Sequence, residues 1–173
     1  MSKNDLIQAI RDIPDFPAPG VIFKDITTLI KDGRLFKESV DLLAAEFAGR
    51  EIDLVACVEA RGFIFGSALA YQLGVGVIPI RKEGKLPHRT RKVGYSLEYG
   101  EATVEIHEDA VTPGSRVLIV DDLLATGGTL AASVELVRGL GGKVEAVAVL
   151  IELDFLKGRE KLKDVEIFSL IHY

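Results

Sequence analysis

The chain has 173 residues, 48% of them apolar and 27% charged, with a net charge of −5. This length suits one domain, the apolar share suits a buried core, and the acidic balance argues against a general nucleic-acid or membrane-surface binder. A single cysteine, Cys57, excludes an intramolecular disulfide and a zinc cluster of cysteines, and no apolar run approaches the roughly 20 residues of a membrane span.

Residues 2–11 place Leu6, Ile7 and Ile10 at helical spacing, and the polar start predicts no secretory signal and therefore a cytoplasmic protein. Residues 12–20 hold Pro14, Pro17, Pro19 and Gly20 and predict an irregular connector. Residues 34–47 form an amphipathic helix with Leu35, Val40, Leu43 and Phe47 near one face. A buried strand over 53–58 follows, then a helix over 62–73 and a strand over 75–80 that ends at Arg81. Next comes a basic island of Arg81, Lys82, Lys85, Arg89, Arg91 and Lys92, opposed by Glu83 alone. Such an island either attracts a small polyanion or is a solvated loop. Residues 93–97 and 102–106 read as a hairpin or two edge strands. A strand over 116–120, a helix over 129–140 closed by Gly141-Gly142, a strand over 144–151, a short helix over 155–162 and a strand over 165–170 complete the chain.

Strands that alternate with helices predict an α/β fold with a mostly parallel sheet, whose ligands bind beyond the carboxyl ends of the strands. Three chemically distinctive segments fall at such ends. The first is Asp121-Asp122, followed by Ala125-Thr126-Gly127-Gly128-Thr129. The glycines let backbone N–H groups approach an oxyanion, and the helix that follows adds free donors and a favourable dipole. The two carboxylates suit a ribose diol or a metal ion. Together they indicate a sugar phosphate. No Gly-Lys-Ser/Thr follows the glycines and no G-x-G-x-x-G spacing is present, so neither a Walker loop nor a dinucleotide fingerprint fits. The bland alternative is a threonine-capped helix start beside a solvated acidic turn. The second segment is Glu59-Ala60-Arg61-Gly62-Phe63, where Gly62 permits close approach and Arg61 offers a planar fork of donors. A surface ion pair is the alternative for Arg61. The third is Arg81-Lys82. The three histidines carry no partner pattern, and Cys57 reads as a buried, inert thiol.

The stretch from Val117 to Thr129 closely resembles the phosphoribosyl-pyrophosphate motif of the type I phosphoribosyltransferases. The wider chain is similar to the members of that family that act on adenine. The supporting segments are Phe16-Pro17-Ala18-Pro19-Gly20-Val21-Ile22-Phe23-Lys24-Asp25-Ile26, Glu59 to Phe63, Arg81-Lys82 with Gly84-Lys85-Leu86-Pro87, Tyr95-Ser96-Leu97-Glu98-Tyr99-Gly100, and Leu156-Lys157-Gly158-Arg159-Glu160-Lys161-Leu162. They occur in the family's order and span nearly the whole chain.

The resemblance implies a type I phosphoribosyltransferase fold with a small N-terminal hood drawn from residues 1–32. Residues 33–173 would form the core, with a mobile loop at about 83–95. Ala125, Thr126, Gly127, Gly128 and Thr129 would hold the 5-phosphate, and Asp121 and Asp122 the ribose hydroxyls. The same two aspartates would meet Mg2+, directly or through water. Glu59, Ala60, Arg61, Gly62, Arg81 and Lys82 would attend the pyrophosphate, while Val21, Phe23, Lys24 and Arg61 would contact adenine. Phe23 could equally belong to the core of the hood. Glu98 is the implied catalytic residue: as a neutral carboxyl it would donate to the purine N7 and ease loss of the N9 proton, which requires a raised pKa.

The implied reaction is adenine plus phosphoribosyl pyrophosphate giving AMP and pyrophosphate, in purine salvage. The resemblance also implies a homodimer, with Arg81 and Lys82 near its interface, and neither nucleic acid nor membrane as partner. A transferase for a 6-oxopurine such as xanthine is one alternative, since a 6-oxo group needs a donor where adenine's amino group needs an acceptor. A non-catalytic phosphoribosyl-pyrophosphate sensor is the other, but such a protein would carry an added DNA-binding domain and a basic face.

Overall fold

The computed structural model describes residues 3–97, with the backbone alone at Leu97, and residues 100–173. Glu98, the expected catalytic residue, lies outside the described residues. The chain divides into two compact units, Met1–Leu42 and Leu43–Tyr173. The division falls inside a helix, Gly33–Phe47, whose first turns group with the N-terminal residues.

The first unit holds helix α1 (Lys3–Ala9), strands β1 (Arg11–Pro14) and β2 (Ile22–Asp25), the short helix α2 (Thr27–Ile30) and the start of α3 (Gly33–Phe47). The expected irregular connector is therefore partly a strand. Its register sets Arg11 opposite Asp25 and Asp12 opposite Lys24, so opposite charges face each other across the antiparallel pair. The ion pairs close at 3.0 Å from Arg11 Nε to Asp25 Oδ2 and 2.7 Å from Lys24 Nζ to Asp12 Oδ1. Arg11 and the Thr27 amide hold the Asp25 carboxyl down at about 2. Pro14 occupies the strand's last position, where its missing donor matters least.

The second unit is built on a seven-stranded sheet. Its elements are β3 (Leu54–Val58), α4 (Gly62–Leu73), β4 (Gly76–Lys82), β5 (Thr90–Leu97), β6 (Gly100–His107), β7 (Arg116–Leu124), α5 (Gly128–Gly139), β8 (Lys143–Glu152) and β9 (Ile167–His172). The strand order is β5-β6-β4-β3-β7-β8-β9. Strands β4, β3, β7, β8 and β9 run parallel, and the β5–β6 hairpin joins antiparallel through the end of β4. Val117, Ile119, Val147 and Val149 of the sheet pack with Leu130, Val134 and Val137 of α5. On the other face α4 lies so close to β3 and β7 that a Cβ at Gly66 would strike the Cys57 sulfur and approach Val120. Burial pushes the Cys57 thiol up to about 12, as expected of an inert cysteine. Among the described residues no helix is long and apolar enough to cross a membrane.

Three further boundaries differ from the sequence reading. Strand β7 does not stop at Val120 but continues through both aspartates to Leu124, because β8 keeps pairing with it as far as Glu152. The expected helix over 155–162 is two 3₁₀ turns, Asp154–Leu156 and Gly158–Lys161, interrupted by Lys157 at φ 53°. Strand β5 begins at Thr90, so residues 90–95 of the expected loop belong to a strand. The cause is Glu105 on β6, which is buried and accepts from the amides of Lys85 and Leu86 and from the Thr90 hydroxyl. Burial alone would raise its pKa, but these donors and Lys92 hold the carboxyl below its ordinary value.

Candidate active site

A cleft of about 240 Å³ opens at the carboxyl ends of the parallel strands in the second unit. It gathers Glu59, Ala60 and Arg61 from the turn after β3, Lys82 from the end of β4, Asp121 and Asp122 from β7, and Ala125, Thr126, Gly127, Gly128 and Thr129 from the loop into α5. Convergence on one sheet edge is what the parallel topology dictates. Tyr95 of β5 also lines the cleft.

The loop before α5 is shaped from both sides. Gly127 adopts φ 81°, a left-handed conformation that glycine accepts readily. A Cβ on Gly127 would collide with the Gly158 carbonyl, and one on Gly158 with the Ala125 carbonyl. Gly158, which the sequence reading left without a role, thus forms the back wall of the loop. The signal was there as the one glycine in Leu-Lys-Gly-Arg-Glu-Lys, but its meaning depends on a contact more than 30 residues away in sequence. On the cleft side, a Cβ at Gly128 would stand 3.0 Å from Cδ2 of the Tyr95 ring.

The carboxylates are buried, with Asp121 at 9% and Asp122 at 5% relative exposure. Loss of solvent raises the Asp121 pKa well above its ordinary value, and the Asp122 charge adds to the rise. Asp122 is also raised by burial, but Arg61 opposes this with its Nε 3.0 Å from Asp122 Oδ2. The Asp122 amide donates to Asp121 Oδ1 at 2.8 Å. A Cβ at Gly62 would come within 2.9 Å of that same oxygen, so Gly62 gives Asp121 its space without lining the cleft.

The expected cations separate in character. Arg61 pairs with Asp122, a buried carboxylate that also lines the cleft, and not with a surface acid. Arg81 is held by Glu59 at 2.6 Å, sits 6.0 Å over the Phe63 ring and does not line the cleft. Lys82 lines the cleft and makes no ion pair among the described residues. Val21, Phe23 and Lys24 belong to the first unit. Val21 is exposed, Phe23 is half-buried with its ring edge-on to Phe16 at 5.2 Å, and Lys24 pairs with Asp12.

A second polar group sits at the ends of β8 and β9. Glu152 receives both arms of Arg159 at 2.7 Å, and His172 lies 2.9 Å from Asp154. Glu152, Asp154 and His172 could geometrically face one ion, but Arg159 already engages both oxygens of Glu152.

The chain is similar in sequence and in fold to known proteins. The phosphoribosyl transferase domain model matches residues 27–171. Adenine phosphoribosyltransferase of Acidobacterium capsulatum is 58% identical over 95% of this chain and 91% of its own length. The crystal structure of adenine phosphoribosyltransferase from Thermoanaerobacter pseudethanolicus superimposes with a TM-score of 0.97 at 53% identity, covering 99% of this chain and 100% of that one. The Saccharomyces cerevisiae enzyme, solved with an imino-altritol bisphosphate and adenine, gives a TM-score of 0.92 at 41% identity over 97% of each chain. The chain belongs to the type I phosphoribosyltransferase family, in its adenine phosphoribosyltransferase branch.

Proposed function

We propose that this chain transfers the 5-phosphoribosyl group of phosphoribosyl pyrophosphate to N9 of adenine, giving AMP and pyrophosphate in purine salvage. The N9–C1′ bond forms as the bond from C1′ to the pyrophosphate oxygen breaks; that electron pair leaves with pyrophosphate, and the N9 proton passes to the leaving pyrophosphate or to solvent. The observation that carries this reading is the cleft itself: a glycine-bounded loop at a helix start, two buried carboxylates, an arginine and a lysine, gathered at the carboxyl ends of three parallel strands. A 5-phosphate fits Ala125 to Thr129, and the ribose hydroxyls suit Asp121 and Asp122, since a charged acceptor strengthens each hydrogen bond. Arg61 and Lys82 are the proposed cations for the pyrophosphate, with Glu59, Ala60 and Gly62 shaping the turn that carries Arg61 and Arg81 set beside Glu59. Val21, Phe23 and Lys24, with Arg61, are the proposed adenine contacts.

Mg2+ is the proposed cofactor. Asp121 and Asp122 offer the hard oxygen donors that this ion prefers, and a cation would favour their charged forms against the burial that now opposes them. The bound ion supplies charge neutralisation on the leaving pyrophosphate. Chelation should abolish AMP formation and added Mg2+ should restore it; turnover undiminished by a chelator would remove the ion from the reading.

Glu98 is proposed to donate a hydrogen bond to N7 as a neutral carboxyl, which eases loss of the N9 proton. Glu98→Leu should lower kcat by about 10²-fold or more while the Kd for phosphoribosyl pyrophosphate stays within a few-fold. Equal turnover would remove Glu98 from the mechanism. The loop over 83–89 is proposed to close when both substrates are bound.

A homodimer is proposed on the apolar face that α4 leaves exposed. Ile64 and Tyr71 stand seven residues apart on that helix, and Tyr71 is 90% exposed. Sedimentation should give twice the 18.8 kDa chain mass, and a monomer at micromolar concentration would contradict it. The cytoplasm is the proposed location. Chromatography of products from adenine and phosphoribosyl pyrophosphate tests the reading as a whole: AMP is expected, and IMP or XMP from the 6-oxopurines in its place would redirect it.

A further inference from the structure

Tyr95 was noticed in the sequence only as part of a longer motif, yet it closes one side of the cleft. Its hydroxyl lies 3.0 Å from Thr129 Oγ1, and both residues line the cleft. Its ring packs against Gly128, leaving no room for a Cβ there without a shift. Its backbone is fixed by the β5–β6 ladder, where Tyr95 pairs with Ala102. One side chain of the hairpin therefore touches two successive residues of the loop that starts α5.

The chemistry of this contact depends on where one hydrogen points. A threonine hydroxyl has a single hydrogen and accepts through its lone pairs, whereas an ionised phosphate oxygen only accepts. If Thr129 gives its hydrogen to Tyr95, it turns lone pairs toward an incoming phosphate. If the Tyr95 O–H gives its hydrogen to Thr129 Oγ1, the Thr129 hydrogen is released for the phosphate. The two bonds then form a chain in which each strengthens the other.

We propose that Tyr95 is a positioning residue of the 5-phosphate subsite, acting through Thr129: its hydroxyl donates to Thr129 Oγ1 and so commits the Thr129 hydrogen to the phosphate. This rests on the reading of Ala125 to Thr129 as the phosphate loop. Tyr95 touches no reacting atom, so its effect belongs on phosphoribosyl-pyrophosphate binding and not on the chemical step.

A double-mutant cycle in the full chain tests it with Tyr95→Phe, Thr129→Val and the pair. Phenylalanine keeps the ring against Gly128 and removes only the oxygen; equal melting temperatures would verify that the fold is retained. Tyr95→Phe should raise KM for phosphoribosyl pyrophosphate about fivefold, with kcat and the adenine KM within twofold. Thr129→Val should raise the same KM at least as much, and the double variant should match Thr129→Val alone. An unchanged KM in Tyr95→Phe, or effects that multiply in the double variant, would overturn the proposal while leaving the phosphate loop intact. An unchanged KM in Thr129→Val would instead overturn the part of the phosphate-loop reading on which the proposal stands, and the proposal with it.

Discussion

Neighbouring strands β7 and β8 both carry buried carboxylates toward their carboxyl ends, and the protein treats them in opposite ways. Glu152 on β8 is fully answered. Burial alone would raise its pKa, but two bonds from Arg159 and one from the Ser169 hydroxyl hold it below its ordinary value. Asp121 on β7 is only partly answered: the Asp122 amide donates to it, yet burial and the adjacent Asp122 charge keep its pKa well above the ordinary 3.8. Arg61 opposes the rise at both aspartates but does not cancel it. A compensated buried acid belongs to the architecture, where it ties β8, β9 and the Gly158–Lys161 turn together. An acid kept partly uncompensated in a cleft destabilises the empty fold, and that is the pattern expected where a ligand supplies the missing partners.

The largest expected effect separates the two acids by function. Asp121→Asn keeps an oxygen to accept from the Asp122 amide but removes the charge. AMP formation should fall roughly 10- to 100-fold, the effect of losing a charged hydrogen bond to the substrate. The melting temperature should rise, by about 2–4 °C for each kcal/mol of relieved burial. A variant that loses activity and stability together would show Asp121 to be architectural. The converse substitution is Arg159→Ala, which strands Glu152. Because Arg159 is 46% exposed, water offsets part of the loss, and a destabilisation of about 1–3 kcal/mol is expected in urea melts. At saturating substrate, kcat should stay within about twofold.

The turn that Arg159 anchors also bears on the phosphate loop. Gly158→Ala should push a methyl group into the Ala125 carbonyl and raise the KM for phosphoribosyl pyrophosphate about tenfold, with the adenine KM little changed. Initial rates across both substrates would check this. The smallest effect is in pH dependence, where the two acids should have opposite signs. Glu152 has a lowered pKa, so its stabilisation is complete above the usual carboxyl range near 4.5 and is lost as pH falls through the lowered value. Asp121 has a raised pKa, so its penalty is absent below 3.8 and grows as pH rises through the raised value. Urea melts of Asp121→Asn against the parent should therefore differ least at low pH and most at neutral pH. A constant difference would contradict the assignment.

The order of strands and helices was legible because each parallel strand is a run of β-favouring apolar residues that ends at polar or glycine residues. The helix over 62–73 was read to the residue for that reason. The hairpin of β1 and β2 was hidden, since β1 is mostly exposed, β2 is only partly buried, and both are held by the Arg11–Asp25 and Asp12–Lys24 pairs, with no apolar period to mark them. The extension of β7 through its aspartates was hidden too, because paired acids read as a turn when the partner strand is unknown. At the site, Asp121, Asp122 and the glycine loop were legible from local chemistry. Tyr95 and Gly158 were not, for each matters through a residue distant in sequence. The Arg61–Asp122 pair likewise appears only once β7 and the turn after β3 are brought together.

The account's central claim is tested most directly by measuring pyrophosphate release from phosphoribosyl pyrophosphate and Mg2+ with adenine, hypoxanthine, guanine and xanthine in turn. Release with adenine, and little with the three 6-oxopurines, is the predicted result. Release with a 6-oxopurine and not with adenine would contradict the base assignment, and binding of phosphoribosyl pyrophosphate without release for any base would contradict catalysis.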